Sequence, residues 1–387
     1  MRAEDEVGRV DRRIPVLIVA GYLGAGKTTL LNHLLRRREA RIGVVVNDFG
    51  AVNIDALLVA GQVDAMVSLG NGCVCCAVDV TELDGLFSRL AEPRNRIDVI
   101  VVEASGLAEP RNLIRMVVGS DNPRIRYGGL VEVVDAEHFD DSRARHPELA
   151  THLRLADLVV LNKADRVPAD RLARLRADIG ELVGAVPVHA TTRGRIDPRL
   201  LFDPPHSGAA PVAEQLSFDE LLAEDHDHDH DDHRHLHDDY DSVSFTSTTD
   251  LDPRRLVGFL EDPPPGLFRA KGCTAFGVRD ERRKFVLHVV GRHVVFEPAA
   301  WERGEDRATR LVLIGSGMDT DAATARLRET VHAAPDPLDE QAMLPVWRYV
   351  PRDLETGTEP NLFEDAEPTD FGLADELTPD EFDHPDA

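Results

Sequence analysis

Gly21-Tyr22-Leu23-Gly24-Ala25-Gly26-Lys27-Thr28 fits the spacing G-x-x-x-x-G-K-[ST], and its neighbours decide what that spacing means. Before it, Val16-Leu17-Ile18-Val19-Ala20 is a short apolar run rich in β-branched residues, the composition of a strand buried on both faces. After it, Leu30, Leu31, Leu34 and Leu35 share one helical face, and Arg36, Arg37 and Arg38 gather where cations offset the negative pole of a helix. Strand, glycine-rich turn and helix in that order make a P-loop. The backbone N–H groups around Gly24, Ala25 and Gly26 then close on phosphate oxygens, and the helix N-terminus adds positive potential. Lys27 reaches the β- and γ-phosphates, Thr28 offers its hydroxyl to Mg²⁺, and Thr29 completes the binding set.

Outward from this turn, from Ile14 to about Pro205, apolar β-branched runs alternate with amphipathic stretches, which predicts a mostly parallel sheet covered by helices. Val44-Val45-Val46 ends in Asn47-Asp48-Phe49-Gly50, and Ile100-Val101-Val102 ends in Glu103. Open α/β sheets place their ligands at such carboxyl edges. An acid ending a buried strand beside a P-loop holds Mg²⁺ through water, so Glu103 is expected there with Thr28, and Lys27, Asp48 and Glu103 form the expected catalytic set. Val159-Val160-Leu161 runs into Asn162-Lys163-Ala164-Asp165, the N-K-x-D sequence. Asp165 can accept from the N1–H and N2–H₂ donors of guanine, which adenine does not offer in that pattern, while the Lys163 stem covers the ring. The expected nucleotide is GTP.

Between the edge at Asn47 to Gly50 and the edge at Glu103 lies an unusual turn, Gly70-Asn71-Gly72-Cys73-Val74-Cys75-Cys76. Three thiols so close together can converge on one metal, and thiolates favour Zn²⁺, Cu⁺ or Co²⁺ over hard cations. A fourth cysteine is missing nearby, which suggests an exchangeable rather than a closed structural site. Further on, His226, His228, His230, His233, His235 and His237 alternate with aspartates, a composition that cannot build a core but can collect divalent metals weakly.

The 387 residues suit two domains with a linker and a tail. Four boundaries are expected: a GTPase domain over 14–205, a His/Asp-rich linker over 206–241, a small α+β domain over 242–335, and an acidic, disordered tail over 336–387. From Pro351 onward thirteen acids face Arg352 alone. The second domain is read from strand-like runs at Val243 to Ser247, Lys284 to Val290, Val294 to Phe296 and Leu311 to Ile314, with helices near Pro253 to Leu260 and Ala322 to His332. A net charge of -26 argues against nucleic acid and anionic lipid as partners. The charged N-terminus and the shortness of the apolar run after it predict neither a signal segment nor a membrane span, hence a cytoplasmic protein. Cys273 is expected to be a core residue.

Taken together, Gly21 to Leu35, Asn47 to Gly50, Asn71 to Cys76, Glu103 to Pro110 and Asn162 to Asp165 resemble the CobW-type metallochaperone GTPases of the CobW/HypB/UreG group. Leu267 to Gly272 and Leu311 to Gly315 look like that family's C-terminal domain. The resemblance implies GTP binding and hydrolysis coupled to delivery of a transition metal, held at Cys73, Cys75 and Cys76, to a client metalloprotein. Two departures stand out: Ala51 replaces the acid that usually follows Asn-acid-Phe-Gly, and Asp48 stands where glutamate is common. The expected function is a Zn²⁺-handling GTPase. The alternatives are a cobalt or iron chaperone for cobalamin synthesis or nitrile hydratase maturation, and a metal buffer whose GTPase module is uncoupled.

Overall fold

Seven parallel strands carry the first half of the chain in the order β3-β2-β4-β1-β5-β6-β7. They are β1 (Ile14–Ala20), β2 (Ile42–Val46), β3 (Ala65–Ser68), β4 (Val99–Glu103), β5 (Ile125–Asp135), β6 (Leu158–Asn162) and β7 (Val188–Ala190). The computed structural model describes residues 13–37, 39–46, 65–68, 80–104, 109–203, 240–334 and 336–351. Every residue of β4 and β6 is buried, as a strand covered on both faces must be. Helix α1 (Lys27–Arg37) covers one face, where Leu30, Leu31 and Leu34 pack on Leu17, Val19, Val131 and Val133. Helices Val80–Leu90 and Pro110–Val118 cover the other, with Phe87 and Leu113 on Val16, Ile18 and Val102. The parallel arrangement puts the C-terminal ends of β1, β4, β5 and β6 on one edge.

A second, antiparallel sheet follows, β8 (Asp241–Ser247), β9 (Leu267–Thr274), β10 (Lys284–Val290), β11 (His293–Ala299) and β12 (Thr309–Gly315), in the order β11-β10-β9-β12-β8. Helices Pro253–Glu261 and Thr320–Glu329 cover one face. Asp252 and Asp319 start them, each carboxylate accepting a backbone N–H of the first turn at 2.9 Å. The fold class expected from the sequence, an α/β domain with a parallel sheet followed by a small α+β unit, is the one observed.

Two strands differ from what periodicity suggests. β9 reads Leu-Phe-Arg-Ala-Lys-Gly-Cys-Thr, and its charges conceal a central strand. Arg269 and Lys271 are accommodated because Asp203 bridges them, at 2.9 and 2.8 Å. β5, the longest strand of the first sheet, is broken in pattern by Gly128-Gly129, where its register against β1 shifts. Gly129 has φ +111, and a Cβ there would run into Val290 of the second sheet. Only glycine permits that approach, and Phe268, Val290, Val312 and Ile314 join the core around Leu30 and Leu34.

The stretch 336–351, assigned to the tail, is packed instead. Ala342, Met343, Val346 and Val350 are buried in the core of the second sheet, and the Phe296 amide donates to the Tyr349 carbonyl at 3.0 Å. The acidic composition starts only after this apolar stretch, and apolar burial is what holds it. Residues 352–387 lie outside the described residues, as do the leader 1–12 and the linker 204–239 with its histidines. Among the described residues no helix is long and apolar enough to cross a membrane.

Candidate functional site

The carboxyl edge of the first sheet gathers most of the side chains singled out by sequence. Lys27, the first residue of α1, is 8% exposed, and its Nζ donates to the Gly21 and Tyr22 carbonyls at 2.8 and 3.3 Å. The ammonium is thus held over the turn where phosphates are expected. Thr28 donates its hydroxyl to Glu103 Oε1 at 2.8 Å, joining the P-loop helix to the end of β4. Glu103 is 3% exposed and lies beside Val19 of β1 and Val46 of β2. A hydroxyl and a carboxylate meeting in this way form a hard-oxygen donor set, which suits Mg²⁺ and not a thiophilic ion. Thr29 and Gly24 lie on the exposed side of the turn, and Ala25 is buried beneath it.

Asn162 is 2% exposed and works as a tie. Its Nδ2 donates to the Ala25 carbonyl at 2.9 Å, and its Oδ1 accepts from the Gly194 amide at 2.9 Å. The loop after β7 is thereby fastened to the P-loop, and Gly26 is confined by the same residue, since a Cβ there would collide with Asn162 Nδ2. Lys163 takes a left-handed backbone, φ 60, and its ammonium binds Asp135 Oδ2 at 2.6 Å. Asp165 is exposed on the short turn Ala164–Arg166. A cavity of about 260 Å³ lies beside these groups, lined among others by Tyr22, Gly24, Asp135, His138, Phe139 and Lys163.

Asp135 and Glu132, both on β5, were not found by sequence reasoning. Burial works to raise the Asp135 carboxyl, but hydrogen bonds from Lys163, His138 and the Glu137 amide outweigh it and hold it below its ordinary value. Its acidity fixes Lys163 in place. Asp135, Glu137 and His138 also bring their ligand atoms within 4.8 Å of one another, but Lys163 already satisfies Asp135, so this corner is built as an ion pair. The signal for Asp135 was available: Val133-Val134-Asp135 ends a strand with an acid as Ile100 to Glu103 does. Burial raises the Glu132 carboxyl to about 8, with the Lys27 charge working against it.

Asp48, Cys73, Cys75 and Cys76 lie outside the described residues. Cys273 is 3% exposed, its Sγ 3.7 Å from the Ala308 carbonyl, in keeping with a packing role.

Known proteins place this edge in context. The family model described as CobW/HypB/UreG, nucleotide-binding domain, matches residues 15–190, and the Cobalamin synthesis protein cobW C-terminal domain matches residues 240–331. The zinc chaperone CobW of Pseudomonas aeruginosa is 33% identical over 357 residues, covering 82% of this chain and 91% of its own. The zinc chaperone YjiA of Escherichia coli is 32% identical over 197 residues, 49% of this chain and 61% of that one. The zinc-regulated GTPase metalloprotein activator 1 of Schizosaccharomyces pombe is 30% identical over 194 residues, 48% of this chain and 47% of that one.

Proposed function

Because the chain belongs to the CobW family of P-loop GTPases, we propose that it hydrolyses GTP in order to load and deliver a transition metal, Zn²⁺ first among them. The observation that carries the nucleotide half is the contact of Thr28 with Glu103 at 2.8 Å, beside the Lys27 ammonium. Two oxygen ligands from different elements already share one place, and a cation for the phosphates stands next to it. Lys27 exchanges the Gly21 and Tyr22 carbonyls for phosphate oxygens. A bound Mg²⁺ would neutralise charge developing on the transferred phosphoryl group. Asn162 holds the P-loop and the loop at Gly194 in register, Lys163 is braced by Asp135 to lie along the base, and Asp165 reads guanine.

The metal half rests on donor chemistry and kinship. Cys73, Cys75 and Cys76 supply thiolates for one exchangeable ion, and two of the relatives above are named zinc chaperones. The cysteines lie in sequence between Asp48 and Glu103, so ordering of those segments by the γ-phosphate reaches the metal loop directly. The recipient is a client metalloprotein.

A Zn²⁺ titration against a chromophoric chelator, in the apo, GDP and GTP-analogue forms, tests the coupling. Affinity is expected to differ between nucleotide states by about 1 to 3 kcal/mol, and Zn²⁺ must then shift GTP affinity by the same factor. Cys75→Ser should lower both the affinity and the coupling. Equal Zn²⁺ affinity in all three forms would leave a metal buffer with an uncoupled GTPase.

A further inference from the structure

Glu132 has no part in that scheme, yet it sits directly behind the P-loop. It is 0% exposed, and neither carboxylate oxygen has a hydrogen-bond partner. A buried carboxyl so left is costly, and more so as the anion. Strand register sets it opposite Ala20, the last residue of β1, and the backbone of the next residue, Val133, lies against Gly21. The Gly21 carbonyl is the one that holds the Lys27 ammonium at 2.8 Å.

Most other charged groups on the elements around β5 are engaged elsewhere or face solvent. Arg111 and Arg115 on helix Pro110–Val118, and Arg154 on helix Leu149–Leu155, are exposed. His152 is buried with no hydrogen-bond partner at Nε2, 3.7 Å from Glu109, while the Tyr22 hydroxyl donates to Glu148 and Glu103 accepts from Thr28. Asp157, ahead of β6, accepts from Tyr127, and on β10 Lys284 pairs with Glu305 while His288 lies toward the opposite end of β5, near Arg126. Lys27 is the cation that favours the charged form of Glu132, against the burial that raises its carboxyl to about 8.

We propose that Glu132 and the nucleotide phosphates draw on the same Lys27 ammonium, so that wherever the Glu132 carboxyl is ionised, phosphate binding obliges it to take up a proton from solvent. This rests on the nucleotide reading above. Phosphates bring negative charge to a lysine that cannot neutralise both them and a buried carboxylate, and protonation removes the conflict. The sign follows by linkage. Below about pH 8 Glu132 already holds its proton and binding is unaffected, whereas above it each binding event must draw a proton, and affinity falls by up to about tenfold per pH unit.

The test is the Kd of Mg²⁺-GDP at pH 7 and pH 9 for the wild type and Glu132→Gln, which keeps the shape and removes the titration. Between these pH values the wild type is expected to lose about tenfold more affinity than the variant. Equal losses overturn the proposal. Should the variant not fold, calorimetry of GDP binding to the wild type at pH 8.5, in buffers of different ionisation enthalpy, is expected to show net uptake of most of a proton per nucleotide. No uptake also overturns it. Wild type that binds no nucleotide at either pH would instead remove the nucleotide reading itself, and this inference with it.

Discussion

The second sheet and the carboxyl edge of the first treat buried polar groups in opposite ways. In the second sheet several such groups, among the described residues, are satisfied within the fold. Lys284 is gripped by both oxygens of Glu305 at 3.0 and 2.8 Å, Thr309 accepts from the Ala275 amide at 3.0 Å, and Thr274 donates to the Phe285 carbonyl at 3.2 Å. At the edge of the first sheet Lys27 rests on carbonyls, Thr28 on Glu103, and Glu132 on nothing that hydrogen-bonds. One region uses polarity to define a structure; the other keeps it in arrangements that a charged ligand can replace. Pairing is what a buried polar group needs for stability, so a cluster of provisional or missing pairs marks a place where something else is meant to bind.

The contrast can be broken by mutation, the largest effect being expected in the second sheet. Phe276 is 0% exposed, with its ring centroid 5.3 Å from that of Phe285 and 6.2 Å from that of Phe296. Phe276→Ala should cost about 3 to 5 kcal/mol of unfolding free energy. Urea denaturation would measure it, and a loss below about 1 kcal/mol would show that this core is looser than its burial implies. At the ligand edge the consequence should be functional instead. Asp165 is exposed, so Asp165→Ala should leave the urea midpoint nearly unchanged and weaken GTP by about 1.5 to 3 kcal/mol. Competition against a labelled GTP analogue would check this. If ATP displaces the analogue from the wild type as well as GTP does, the guanine assignment fails. The smallest effect is expected outside both regions. Deleting 225–239, the histidine tract, should leave the melting temperature within about a degree, because its composition of histidines and aspartates cannot contribute to a core. It should remove only weakly bound metal ions, as counted by equilibrium dialysis. Loss of the tight metal site would move the ligands out of the cysteine turn.

Legibility followed the range of the interactions. Gly21 to Thr28, the apolar runs of β1, β4 and β6, and the helix from Lys27 to Arg37 could be read directly, because spacing, β-branching and helical period are properties of neighbouring residues. The class of fold followed from their alternation. β9 was obscured by Arg269 and Lys271, whose partner Asp203 lies far back in the chain. The apolar residues from Ala342 to Val350 were hidden by the acidic stretch that follows them.

By itself, then, the sequence determined the P-loop, the parallel order implied by strand-helix alternation, the N-K-x-D element and the clustered thiols, all patterns written within a few consecutive residues. Only the tertiary structure decided that Asn162 ties Ala25 to Gly194, that Asp135 braces Lys163, and that Glu132 stands unpaired behind Gly21. Hydrogen bonding and the cost of burying charge depend on which atoms lie within a few ångströms, and parallel strands joined by long crossovers bring together residues more than a hundred positions apart.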